Sequence, residues 1–152
     1  MNPQIPTRLF HGTSLAFARD IEARGIDMSK VSAGYFGVGF YTAEEFDLAK
    51  RNYADFADED GGAILEFSLA EHARILDLRT PEGFEEYQRV TDNGRLSLSR
   101  PDYAAVMTRA GVDGLYDNSF EGVVIYNPSV LNLQFVHTER EEACHSPLRP
   151  RL

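Results

Sequence analysis

RLFHGTSLAFARDIEARG, residues 8–25, carries the signals for a strand, a helix start and a helix stop in one unbroken run. Residues 8–11 fit a short strand. Ser14 then stands where a hydroxyl accepts the first free amides of a helix, and apolar Leu15, Ala18 and Ile21 recur at helical spacing. Gly25 supplies the left-handed backbone that ends such a helix. A strand feeding a helix in this way is compatible with a doubly wound parallel sheet or with an α+β fold, and the residues that follow decide between them.

Residues 29–39 read as a loop of glycine, serine and small residues that ends in the aromatic pair Phe40 and Tyr41. Gly34, Gly37 and Gly39 therefore follow a loop, whereas the dinucleotide glycine pattern of a doubly wound sheet needs a strand before it and a helix after it. Thr42 with Glu45 makes a capping-box signature, and Phe46, Ala49 and Tyr53 recur as one helical face, which predicts a helix over residues 43–56. Residues 58–62 read as a turn. Strands fit residues 64–69 and 74–78, then Pro81 opens a helix through Val90 and Asn93-Gly94 marks a turn. A further helix fits residues 101–109, closed by Gly111, and strands fit 114–116, 122–126 and 133–137. Without strict βαβ alternation, the expected class is α+β, a small split β-sandwich core of short strands with packed helices. Residues 1–137 form the single expected domain, with residues 138–152 a polar C-terminal tail.

Composition bounds the partners. Of 152 residues, 24 are acidic and 15 basic, a formal charge of −9 that repels nucleic-acid backbones at long range. Cys144 is the single cysteine, so no internal disulfide is expected, and His72, His137 and His145 have no metal-ligand spacing with it or one another. No apolar run approaches a membrane span, and the N-terminus lacks a signal-peptide layout. The expected setting is soluble and cytoplasmic, with export as an effector by a dedicated secretion system left open.

Three blocks carry a resemblance: His11-Gly12-Thr13 after a strand, residues 37–42 (Gly-Val-Gly-Phe-Tyr-Thr) before a helix, and Glu121 leading into a strand that ends at Asn127-Pro128. In order and spacing they resemble the His-Tyr-Glu branch of ADP-ribosyltransferases, the diphtheria-toxin and poly(ADP-ribose)-polymerase-like enzymes, over roughly residues 8 to 131. The resemblance implies NAD as substrate, cleavage of the nicotinamide–ribose bond, and transfer of ADP-ribose to an acceptor, with NAD hydrolysis as a side activity. It implies that His11 holds the adenosine ribose, that Gly12 offers backbone hydrogen bonds to the nicotinamide amide, that Tyr41 stacks on the ring, and that Tyr53 closes the slot from the other side. Thr13 belongs to the same block. The chemistry agrees with these residue types, since a departing ring needs an aromatic slot and the developing oxocarbenium ion needs nearby negative charge.

Glu121 supplies that charge if it reaches the cleft. Counting back from Asn127-Pro128, the family's spacing puts the acid at Gly122, one residue late, so a bulge at Gly122 is expected to re-aim Glu121. Asp117 is expected not to take part, and Asp113, before Gly114, reads as structural. Arg8 and Lys30 are candidates to neutralise the pyrophosphate, against the plainer reading of exposed solubilising charges. Residues 29–39 are read as a flap over the dinucleotide, against a plain surface loop. The acceptor stays open, protein ahead of nucleic acid, with room for a neutralising partner protein. Two other readings stand beside this one: an RNA 2′-phosphotransferase-like enzyme, which the acidic balance disfavours, and a non-catalytic NAD or ADP-ribose binding module.

Overall fold

The computed structural model describes residues 5–52, 61–118 and 122–138. Its first strand, β1 (Arg8–Ser14), feeds α1 (Leu15–Arg24) directly. The Ser14 side chain accepts the Phe17 N–H at 3.2 Å, and Gly25 closes the helix at φ 85°, as the sequence predicts. β1 runs three residues beyond the expected His11 because its whole length pairs with β5 (Gly62–Leu69), from Arg8–Ser68 to Ser14–Gly62.

The predicted loop at residues 29–39 instead contains a small hairpin, β2 (Ala33–Gly34) with β3 (Gly37–Val38). Next come β4 (Phe40–Ala43) and α2 (Phe46–Asn52). The helix starts later than the capping-box signature implies. Thr42 is a strand residue: its side chain is buried and its hydroxyl donates to the Val123 carbonyl at 2.7 Å, tying β4 to β8 (Gly122–Ile125) rather than capping the helix. The remaining elements are β6 (Ile75–Asp77), α3 (Pro81–Val90), α4 (Tyr103–Arg109), β7 (Gly114–Asp117) and β9 (Leu131–Thr138). Asn93 and Gly94 both take positive φ, 56° and 84°, at the predicted turn. Asp113 has the structural role expected of it, accepting the Arg74 N–H at 2.8 Å and the Asn127 side-chain amide at 3.0 Å.

The class is α+β. Seven strands form one sheet in the order β6-β7-β8-β4-β1-β5-β9, antiparallel except for β6 with β7. The expected split is reduced to one seam: β1 and β4 share a single register pair, Phe10 opposite Ala43. One face buries Leu9, Phe40, Leu65, Phe67, Val123 and Ile125 in a common core with Ala18 of α1. Each of the fully buried leucines is worth about 1.5–3 kcal/mol relative to exposure. The opposite face is covered in two places. Val124 and Tyr126 pack with Tyr103 and Met107 of α4, while Phe10 and Ile64 pack with Leu48 and Ala49 of α2. Among the described residues, no helix is long and apolar enough to cross a membrane.

Candidate functional site

Past the Phe10–Ala43 pair, β1 continues against β5 alone and β4 runs back toward Phe40 against β8 alone. Where these strands part, a cleft of about 530 Å³ opens, bounded by His11 and Thr13 of β1, one side of α1, the segment from Ile26 to Tyr35, and Phe40 and Tyr41 of β4. A volume of this order is ordinary for a small-molecule site, which typically runs about 300–1,000 Å³.

His11 spans the opening. Its Nδ1 lies 2.6 Å from the Tyr41 carbonyl oxygen, and its ring stacks on Phe40 at 4.1 Å between centroids. A carbonyl only accepts, so Nδ1 carries the proton and Nε2 the lone pair of the neutral ring. Burial holds the imidazole below the ordinary histidine value, with the Tyr41 carbonyl partly offsetting that effect. At neutral pH the cleft therefore holds an uncharged, orientated imidazole.

Tyr41 borders the same cleft although its side chain, opposite Val124, lies on the α4 face of the sheet, and its hydroxyl is committed to the hairpin: it accepts the Phe36 N–H at 2.8 Å and donates to the Gly37 carbonyl at 2.7 Å. Gly34 makes room for the ring. A Cβ there would stand 2.5 Å from the Tyr41 Cζ, inside any tolerable contact. At the mouth, Phe17 of α1 and Tyr35 at the hairpin tip are 52% and 75% exposed, so the cleft's outer rim is aromatic while its inner end is ordered.

The other sequence candidates divide. Thr13 lines the cleft; Gly12 is buried opposite Ile64 and is not among the lining residues. Arg8 is corrected. Strand alternation turns it to the face of Phe10 rather than of His11, where its side chain, 73% exposed, pairs with Glu66 at 3.4 Å. Lys30 does line the cleft, the one lysine or arginine among the described lining residues, and it bridges to Asp20 at 3.6 Å. Tyr53 and Glu121 lie outside the described residues.

From Gly122 onward no register shift occurs, while Glu121, the other half of the expected bulge, lies outside the described residues. β8 pairs residue for residue from Gly122 to Ile125 with both β4 and β7. Position 122 also has no space for the acid that the family's spacing would put there, since a Cβ on Gly122 would lie 1.9 Å from the Thr42 carbonyl oxygen. Val123 and Ile125 share the face of Phe40, on which His11 stacks, whereas Val124 and Tyr126 face α4. Odd positions of β8 are thus the ones on the His11 side. On β7 the alternation runs the other way round: Tyr116 faces Phe40's core, and Leu115 lies with the α4 core, so Asp117 is on the side away from His11.

Sequence reading missed Phe40 as the platform under His11, Gly34 as the space for Tyr41, and the anchoring of the hairpin at Phe36. The glycine density of residues 34–39 was the available signal for the last two. It also left Glu44, Arg79 and Tyr116 unassigned. The Tyr116 hydroxyl donates to Glu44 at 2.7 Å, and Arg79, paired with Asp77 at 2.7 Å, sits 4.5 Å above the Tyr116 ring. Burial and the Glu44 carboxylate push the Tyr116 hydroxyl up to about 12, so it stays a donor. None of the three lines the cleft. Compared with protein-family models and with curated proteins, the chain matches none.

Proposed function

We propose that this protein is an NAD-dependent mono-ADP-ribosyltransferase with an ADP-ribosyltransferase-like fold. The observation that carries the reading is the convergence of His11, Thr13 and Tyr41, from two of the three sequence blocks, on one cleft where β1 and β4 part. In this reading the His11 Nε2 accepts a ribose hydroxyl, which its neutral tautomer suits, and the Tyr41 ring forms a wall of the nicotinamide slot. Lys30 is the cation nearest to hand for the pyrophosphate. Glu121 supplies negative charge to the oxocarbenium-like transition state. The alternation of β8 favours an odd-numbered position for that role, because Val123 and Ile125 share the His11 side. The bond from ribose C1′ to the nicotinamide nitrogen breaks, its electrons leave with nicotinamide, and the acceptor's nucleophile forms the new bond to C1′ while losing a proton.

The test incubates the protein with NAD labelled in its adenylate half and a cell lysate, then measures free nicotinamide and the label on protein, on nucleic acid and in free ADP-ribose. The reading expects nicotinamide release with label on protein. Tight NAD binding with no release would instead identify a binding module, and activity only on 2′-phosphorylated RNA would identify the phosphotransferase.

A further inference from the structure

The hairpin that walls the cleft is held at Phe36 and the adjoining Gly37. Phe36 and Tyr35 form the two-residue connection between Gly34 and Gly37, and their side chains separate: Tyr35 points to the cleft mouth, and Phe36 is buried against Tyr103, Met107 and the edge of Tyr87. Both polar groups of the Phe36 backbone meet tyrosine hydroxyls. Tyr41 takes its N–H at 2.8 Å, and Tyr126 donates to its carbonyl at 2.7 Å. Tyr41 also donates to the neighbouring Gly37 carbonyl. Gly37 has φ 88° and lies so close to the Tyr103 ring that a Cβ would come within 2.6 Å of it. The hairpin thus sits on a tyrosine floor supplied by β4, α4 and the residue following β8.

Tyr126 does not line the cleft, and only 2% of it is exposed. We infer that Tyr126 is a positioning residue: with Tyr41 it latches the β2–β3 hairpin at Phe36, and so preforms the wall against which a dinucleotide binds. The reading of the cleft as an NAD site is assumed here for the kinetic consequence alone; the latch itself is a property of the fold. A preformed wall lowers the ordering cost of binding, so losing the latch weakens binding more than it slows chemistry.

The test replaces a single hydroxyl. In Tyr126→Phe, amide hydrogen exchange at residues 33–38 is expected to quicken by about five- to tenfold while β1 and β5 amides keep their protection, as for the loss of one buried hydrogen bond that holds a local unit. KM for NAD is expected to rise by about the same factor with kcat within about twofold. Tyr41→Phe, which keeps the ring and removes the other two bonds, should give the same localised exchange signature. Unchanged exchange at residues 33–38 in both variants, or uniform acceleration over the whole sheet, would overturn the latch. Local loosening accompanied by an unchanged KM in a protein that turns over NAD would overturn the positioning role of Tyr126 in binding. If the wild-type protein releases no nicotinamide, the functional reading fails and the exchange pattern alone decides the latch.

Discussion

The His11 imidazole donates its Nδ1 proton to the Tyr41 carbonyl oxygen at 2.6 Å, bridging β1 and β4 where the two strands part. This one contact fixes the tautomer of the ring and places both residues at the same end of the cleft.

It carries a pH dependence. Burial lowers the His11 pKa from the ordinary 6.5, so the unfolded chain binds more protons than the folded one as pH falls through that value. His11's contribution to stability is therefore complete above the unfolded pKa and lost on acidification, down to the lower folded pKa. The same protonation turns Nε2 from acceptor to donor. kcat/KM for NAD should be flat at neutral pH and fall only below about 6.5. A fall beginning above that value, attributable to His11 by its absence in His11→Asn, would contradict the assignment.

His11→Ala and Tyr41→Ala should each lower nicotinamide release by about a hundredfold or more, since both orient the dinucleotide. Circular dichroism should show both still folded, because neither is among the fully buried core side chains. Near-normal release from either folded variant would remove it from the site.

Gly34→Ala tests the packing of the aromatic wall. The added methyl would meet the Tyr41 ring at 2.5 Å, so the ring must turn and its hydroxyl must leave Phe36 or Gly37. NAD affinity measured by calorimetry should drop about tenfold or more. Affinity equal to wild type would mean that Tyr41 does not contact the ligand.

How much of this was legible in the sequence can be seen residue by residue. Ser14 and Gly25 announced α1 through local chemistry, and Pro81 to Val90 was read to the residue because Thr80 and Pro81 fix its start and no long-range pairing intrudes. Thr42 misled, because its hydroxyl has a long-range partner, the Val123 carbonyl, that outcompetes a helix cap and that no local rule anticipates. The hairpin within residues 29–39 was hidden for a similar reason: two-residue strands have no periodicity, and their support comes from Tyr41 and Tyr126, the latter 90 positions from Phe36. Arg8 has the charge that suits a pyrophosphate, but charge says nothing of which strand face it lies on, and alternation turns it to Glu66, away from the face of His11. The register of Glu121 was read from a motif count, whereas the faces of β8 are set by what Val123 and Val124 pack against.

Glu121→Gln addresses that register. It removes charge with little change in shape, so NAD affinity should stay within about tenfold while turnover falls by about a hundredfold or more, the pattern of a group that acts in the transition state. Asp117→Asn should leave turnover near normal, since β7 turns that position away from His11. The reverse pair of results would assign the negative charge to Asp117.

The most direct measurement is nicotinamide release from NAD by the purified wild-type protein and by His11→Ala at equal concentration, followed by separation of nicotinamide from NAD. Steady release by the wild type above the buffer background, falling to near background in the variant, is the expected result. Release at background by the wild type, or at equal rates by both proteins, would contradict it.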